Sequence, residues 1–197
     1  TSFSPIANAI LPVARQKEFP VLLTVVSAMS VVRTGGSQTL HYFTSGEQEG
    51  PIMADFLASN RKRLKTALLL IDDDYGQSYG NAFAAEYGAK GGEIVLRELF
   101  GKAESDFRSL LMRVKSANPQ VLYFIGLDKQ IALIVKQARE LGIKAEFATN
   151  WVLANPPARR GNESLLEGTY FTAPSYFFEK NQLALELHSG AALFSWS

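Results

Sequence analysis

The stretch LLLIDDDYGQSYG, residues 68–80, decides the fold class and raises the first question about function. A run of branched apolar residues, typical of a strand that is buried on both faces, ends in three consecutive aspartates. The next five residues, 76–80, fit the pattern G-x-S-x-G. Three interpretations are open at this point: the nucleophile turn of a serine hydrolase, a metal site, or the rim of a ligand-binding cleft.

The serine hydrolase interpretation does not fit the spacing. In that class of enzyme the serine lies on a very tight turn directly after the strand. Here residues 72–75 separate the apolar run from Gly76, and a triad in the order Ser, Asp, His would depend on His188 in the C-terminal tail. The pattern therefore favours a helix that begins near Gly76 and carries Ser78 in its first turn, and we predict no enzyme.

No metal or cofactor site is predicted. Asp72, Asp73 and Asp74 could ligate Mg²⁺ or Ca²⁺, but neighbouring side chains in an extended segment point apart, which favours a solvated loop with one aspartate capping the next helix. The two histidines, His41 and His188, match no metal-binding spacing. The sequence has no cysteine, and neither glycine-rich nucleotide-binding motif occurs in it.

The composition is that of an ordinary globular protein. The 197 residues have a net charge of +1, 47% are hydrophobic and 20% are charged, so nothing predicts binding to nucleic acid or to an anionic membrane. No apolar run reaches the roughly 18 residues of a membrane span, so no direct insertion into a membrane is predicted. Because the chain opens with Thr-Ser-Phe-Ser rather than Met, we expect a mature or truncated chain.

Strand and helix patterns alternate along most of the sequence. Helical spacing of apolar residues occurs at 4–17, 48–63, 77–89, 105–117 and 129–141. Apolar runs of strand length occur at 19–26, 39–45, 65–71, 91–100, 119–126, 144–150 and 168–174, and residues 27–38 are predicted to form a loop. The alternation predicts an α/β fold with a mostly parallel sheet. Since ligands bind beyond the carboxyl ends of such strands, the segments DDDYGQ, GLDKQ and TNWVLAN should lie along one edge.

Aromatic residues stand at these strand ends. Tyr75 follows the strand at 65–71, Trp151 follows the strand at 144–150, and Tyr42 and Phe43 lie near the end of an earlier strand. Two interpretations are open: the rings pack at the edge of the sheet, or they hold a planar apolar ligand between them.

Four motifs between residues 73 and 174 carry a resemblance to a known family. They are DDYGQ at 73–77, DFRSLL at 106–111 followed by NPQV, KQARELG at 136–142, and EGTYFTAP at 167–174. Together, over about 110 residues, they closely resemble the type I periplasmic solute-binding proteins, in the leucine/isoleucine/valine-binding branch that feeds ABC importers. Residues 1–63 resemble the end of the first lobe of these proteins more loosely.

The resemblance implies a type I periplasmic-binding-protein fold. This fold has two Rossmann-like α/β lobes with parallel sheets, joined by crossing strands around a ligand cleft. Residues 1–63 would form part of lobe one and residues 64–175 lobe two, whereas residues 176–197 follow no pattern of the family. One of the two lobes would therefore be incomplete in this chain.

The function that the resemblance implies is that of an extracytoplasmic receptor of an ABC importer, in the periplasm or otherwise outside the cytoplasm. Its partners would be a small-molecule ligand and the membrane permease that receives the liganded receptor. The alternative is a ligand-sensing domain of a receptor or regulator, which uses the same fold. A serine hydrolase that uses Ser78 ranks last.

Lobe one of the amino-acid binders in this family holds the ligand carboxylate. A serine of an S-S motif contributes, together with a Ser or Thr and backbone groups of an A-T loop. The resemblance places these roles on Ser2, and on Ser27 with Ala28.

Lobe two departs from the pattern of the amino-acid binders. The aromatic residue of the Y-G turn falls on Tyr75, but the position of a second tyrosine falls on Leu127, and the acid that pairs with the ligand ammonium falls on Trp151. A buried ammonium without a counter-charge is costly, although Asp128 could substitute. We therefore expect a small carboxylate-bearing ligand, an aromatic or aliphatic acid rather than a standard zwitterionic amino acid, or an amino acid-like ligand if Asp128 supplies the charge.

Overall fold

The computed structural model of the protein describes residues 4–174 and the backbone of residues 191–195. The helices are α1 (Ser4–Gln16), α2 (Met29–Thr34), α3 (Gly46–Asp55), α4 (Asp74–Ala89), α5 (Arg108–Ala117), α6 (Asp128–Glu140), α7 (Pro156–Arg159) and α8 (Glu163–Leu166). The strands are β1 (Val21–Leu23), β2 (Thr39–His41), β3 (Lys65–Ile71), β4 (Glu93–Phe100), β5 (Val121–Ile125), β6 (Glu146–Thr149), β7 (Tyr170–Pro174) and β8 (Ala191–Ser195). Short helical turns occur at Gly36–Gln38, Phe56–Asn60 and Trp151–Ala154.

The larger of two sheets has six strands in the order β4-β3-β5-β6-β7-β8. All neighbouring strands are parallel except the last pair, in which β8 runs antiparallel to β7. The central strands β3 and β5 are buried along their apolar runs, because helices cover both faces of such a sheet. This confirms the predicted α/β fold. Strands β1 and β2 form a separate parallel pair.

Helix α4 begins three residues earlier than the predicted start at residue 77, directly after β3. Asp73 Oδ1 accepts a hydrogen bond from the Gly76 backbone N–H at 3.0 Å, so this aspartate caps the helix as one of the three was predicted to do. Gly76 permits the tight approach, because a Cβ at this position would lie 2.0 Å from the carbonyl oxygen of Ile71. Ser78 therefore lies within a regular helix.

The described residues form two separate hydrophobic cores. The smaller core joins α1, β1 and α2 through residues such as Leu11 and Leu23. The larger core surrounds the six-stranded sheet and includes Met53 and Leu57, because α3 packs closely along α4. Helix α3 and the turn after it therefore pack with the larger sheet, while the lobe boundary at residue 63 stays a prediction.

The N-terminal part of the chain differs from the prediction in its details. The helix predicted at 4–17 is present as α1, with Pro12 inside it. The helical spacing predicts a buried face with Ile6, Ile10 and Val13, but Ile6 and Val13 are 51% and 58% exposed, and Ala7 and Leu11 are buried instead.

The segment predicted as a loop between the first two strands is partly helical. It contains α2 and the short turn after it. The flanking strands β1 and β2 have three residues each, fewer than the predicted strands at 19–26 and 39–45. Among the residues the structure describes, no helix has the length and apolar character to cross a bilayer, and no group of three acids and histidines is placed to hold a metal ion.

Candidate functional site

A cavity of about 340 Å³ lies beyond the carboxyl ends of β3, β5 and β6. The turns that follow these strands form one side of it, and the start of α1 with the segment after β1 forms the other. The predicted strand-end segments thus meet at one edge of the sheet, where ligands bind in open α/β folds. The cavity is lined mostly by apolar side chains, and its volume falls within the range of about 300–1,000 Å³ that small-molecule sites occupy.

Four of the predicted site residues line this cavity, although they come from distant parts of the sequence. They are Ser27, Tyr75, Leu127 and Trp151. Leu127 is 40% exposed, whereas Tyr75 and Trp151 are almost completely buried. The structure therefore brings these four residues together, and their contact with a ligand stays a prediction.

Of the other two predicted residues, one lies outside the described part of the chain and the other is absent from the cavity lining. Ser2 lies outside the described residues. Ala28 is fully buried, and its backbone N–H donates to Ser4 Oγ at 3.3 Å. Ser4 itself lines the cavity, and sequence reasoning missed it. The one signal for Ser4 is its place directly before Pro5 at the start of a helix.

The two aromatic residues on the cavity are held in place by their neighbours. Asn150 Nδ2 donates to the Tyr75 hydroxyl at 2.6 Å, and burial raises the pKa of Tyr75 far above its usual value, so the phenol is neutral. The Tyr75 ring meets the edge of Tyr79 at 5.3 Å, and Trp151 meets Phe43 at 5.0 Å. Each ring packs against a neighbour and also lines the cavity, so the packing interpretation is confirmed for these two rings, and a planar ligand between them stays a prediction.

Charged residues of both signs line the cavity. Lys102 Nζ lies 3.3 Å from Asp73 Oδ2, so these two residues form an ion pair. Asp128 Oδ1 accepts a hydrogen bond from Asn155 Nδ2 at 3.1 Å. Asp128 is thus an acid on the cavity lining whose partner is an amide rather than a cation. That Asp128 replaces the acid that the family pattern places at Trp151 stays a prediction.

A buried carboxyl lies behind the wall of the cavity. Glu49 of α3 is 0% exposed, and its carboxylate accepts hydrogen bonds from the hydroxyls of Thr44 and, at 2.7 Å, Thr172. The backbone N–H of Trp151 lies near the same carboxylate. Burial raises the pKa of Glu49 to about 7, because the cost of desolvating the charge exceeds what these donors contribute. Sequence reasoning missed Glu49, since an acid in the first turns of a helix is usually solvated.

Ser78 does not have the surroundings of a nucleophile. Its hydroxyl lies 3.0 Å from Glu47 Oε2 and 3.3 Å from the carbonyl oxygen of Ser27. His41 bonds instead to the carbonyl oxygen of Val26 through Nε2, and His188 lies outside the described residues. In the described part of the chain, Ser78 therefore links α4 to α3 and to the segment after β1.

The fold and the cavity define an α/β protein with a candidate ligand site beyond the carboxyl ends of its sheet strands. The family model of the periplasmic binding proteins matches residues 1–186, and the chain belongs to this family. The resemblance to the type I, leucine/isoleucine/valine-binding branch is thereby confirmed. Proteins of this family are solute-binding proteins and are extracytoplasmic.

Similar proteins include both amino acid binders and binders of aromatic acids. An amino acid binding protein of Pseudomonas aeruginosa is 31% identical over 104 residues, which are 53% of this chain and 28% of that protein. A leucine-binding protein of Thermotoga maritima has a similar structure, with a TM-score of 0.82 and 25% identity, over 88% of this chain and 49% of that one.

A solute-binding protein of an ABC transporter from R. palustris, in complex with 4-hydroxybenzoate, shares the fold with a TM-score of 0.81 and 18% identity. That match covers 88% of this chain and 48% of the other. In all three comparisons the match spans less than half of the other protein. One lobe of the family fold is therefore incomplete in this chain.

Proposed function

We propose that the protein is the solute-binding receptor of an ABC importer and captures a small carboxylate-bearing ligand in the cavity. The observation that carries this proposal is the meeting of Ser27, Tyr75, Leu127 and Trp151 around one space of about 340 Å³. No covalent step is needed for capture, so the proposal includes no enzymatic activity.

The shape and lining of the cavity favour an aromatic acid. Two buried rings, Tyr75 and Trp151, line it, and aromatic faces and edges bind a planar ligand well. Leu127 adds an apolar surface. Ser27 and Lys102 provide groups able to meet a carboxylate, although Lys102 is already paired with Asp73. One structural neighbour holds 4-hydroxybenzoate, which shows that the fold accommodates such a ligand.

A second ligand class has an observation in its favour. Asp128 lies on the cavity lining, where it could pair with the ammonium of an amino acid. Buried ammonium groups require such a partner. The two classes therefore differ in whether Asp128 contributes to affinity.

In the proposed mechanism the ligand stabilises a closed state of the two lobes, and the membrane permease recognises that state. Closure requires contacts that the ligand makes better in the closed state than in the open one. Residues on the two sides of the cavity, such as Ser27 and Trp151, could supply these contacts.

The experiment that tests the ligand class is isothermal titration with leucine, valine, phenylalanine, benzoate, 4-hydroxybenzoate and hexanoate. Binding of the aromatic acids, with loss on Trp151→Ala and no change on Asp128→Asn, would support an aromatic-acid receptor. Binding of leucine or valine that is lost on Asp128→Asn would identify an amino acid receptor. Absence of binding for all six compounds would contradict the proposed ligand class.

A further inference from the structure

Glu49 connects three parts of the chain that meet behind the cavity. Thr44 lies in the segment that links β2 to α3, Thr172 lies in β7, and Trp151 opens the turn after β6. The carboxylate accepts hydrogen bonds from the hydroxyls of Thr44 and Thr172, and the backbone N–H of Trp151 lies near it. Because Thr172 is 123 residues away in the sequence, this carboxyl crosslinks distant elements.

The side chains that face Glu49 from the packed helices and strands are neutral. Tyr75 and Tyr79 of α4 and Tyr123 of β5 feel the charge of Glu49, and burial raises the pKa of each phenol, so all three stay protonated near neutral pH. The Tyr79 hydroxyl lies near the carboxyl in a geometry too loose for a regular hydrogen bond. In the described part of β7 and in the turn after β6, no side chain carries a formal charge.

The other acids of α3 are bonded elsewhere. Glu47 lies 3.0 Å from the Ser78 hydroxyl, and Asp55 forms an ion pair with Lys90. The linking segment at 42–45 contains no charged residue. Over residues 4–174, the contacts that set the pKa of Glu49 therefore come from hydroxyls and one backbone N–H, and none comes from a cation.

We propose that Glu49 is a positioning residue of the ligand cavity, and that gain or loss of one proton on its carboxyl changes how firmly Trp151 and the linking segment are held. The carboxylate can accept from all of its donors at once, and such charge-assisted bonds are strong. The protonated carboxyl must turn its own O–H toward an oxygen, so it accepts fewer bonds and more weakly. This inference rests on the proposed function, because it gives the cavity wall a role in ligand binding.

The test follows the fluorescence of Trp151 as the pH is changed, without any ligand. The sequence has two tryptophans, so Trp196→Phe leaves Trp151 as the only tryptophan in the full chain, and excitation at the long-wavelength edge of its absorption avoids the tyrosines. We expect its emission to change in a single step with a midpoint near pH 7, and Glu49→Gln to abolish this step. Glu47→Gln is the matched control on the same helix and should leave the step in place.

A second variant keeps the test decisive if Glu49→Gln fails to fold. Thr172→Val removes one donor to the ionised carboxylate, so the midpoint should move to higher pH by about one unit. A step that persists in Glu49→Gln, a midpoint that Thr172→Val leaves unchanged, or an emission that is constant from about pH 5 to about pH 9 would overturn the proposal.

Benzoate affinity then separates this inference from the proposed function. A benzoate Kd that differs between about pH 6 and about pH 8 in the starting protein, but not in Glu49→Gln, would support the positioning role. Equal affinity at both pH values in both proteins would overturn it. If benzoate does not bind at all, the proposed ligand class fails, and the ligand-free fluorescence step alone decides the role of Glu49.

Discussion

Replacing Glu49 by Gln should make the protein more stable at alkaline pH. The pKa of Glu49 is about 7 in the folded protein, against 4.5 for an ordinary glutamate. Below pH 4.5 both the folded and the unfolded chain hold the proton, so the carboxyl has no effect. Between 4.5 and 7 the unfolded chain releases its proton while the folded chain retains it, so the free energy of unfolding falls as the pH rises.

The loss is complete above pH 7 and amounts to about 3 kcal/mol, at about 1.4 kcal/mol per pH unit. Glutamine resembles the neutral acid in shape and stays uncharged at every pH, so Glu49→Gln lacks this loss. At each pH, the free energy of unfolding of the variant is compared with that of the unchanged protein. This difference should shift in favour of the variant by about 3 kcal/mol from about pH 4.5 to about pH 8.

Urea denaturation at these two pH values measures the effect, provided that each unfolding curve shows one transition. Comparing the variant with the unchanged protein at each pH cancels the contributions of all other titrating groups. Glu47→Gln serves as the control, since Glu47 is an exposed glutamate on the same helix. If the difference caused by Glu49→Gln were the same at both pH values, the argument from buried charge would be wrong.

Three further predictions concern the turn after β3 and the cavity. Asp73→Ala should lower the free energy of unfolding by about 1 kcal/mol through loss of the helix cap, whereas Asp72→Ala should change it by less than about 0.5 kcal/mol, as urea denaturation can measure. Gly76→Ala should lower the melting temperature strongly, because the new Cβ would clash with the carbonyl oxygen of Ile71. Gly88→Ala in the same helix meets no atom within 4 Å and should have a melting temperature equal to or above that of the unchanged protein. Trp151→Ala should weaken binding of whichever acid the protein takes by about tenfold or more in calorimetric titration, and an unchanged Kd would remove Trp151 from the site.

Much of the fold could be predicted because its signals are local. The apolar runs at 65–71 and 121–125 are long enough only for strands buried on both faces, and they became β3 and β5 at the centre of the sheet. The cap at Asp73 could also be expected, since Asp is a favoured residue at this position. Periodicity was less informative in α1, because two sets of residues have helical spacing and either could form the buried face. Packing against the neighbouring elements buries the set with Ala7 and Leu11.

The candidate site could be predicted only in part. Topology places Tyr75, Leu127 and Trp151 at the same edge, because all three follow parallel strands. Ser4 and Glu49 had no comparable signal. Their roles depend on contacts with Ala28 and Trp151, which lie 24 and about 100 residues away in the chain, and no local pattern records such a contact.

The amino-acid sequence by itself determined the main alternation of strands and helices from β3 to β7, the parallel sheet, the edge at which the cavity lies and the family to which the chain belongs. These properties follow from hydrophobic spacing, capping and motif residues that lie close together in the chain. Only the tertiary structure decided that a cavity forms between the strand ends and α1, that Asp128 lines it, and that a carboxyl with 0% exposure lies behind Trp151. The physical reason is that burial and hydrogen-bond partners, which set the charge of Glu49, are properties of packing between distant segments.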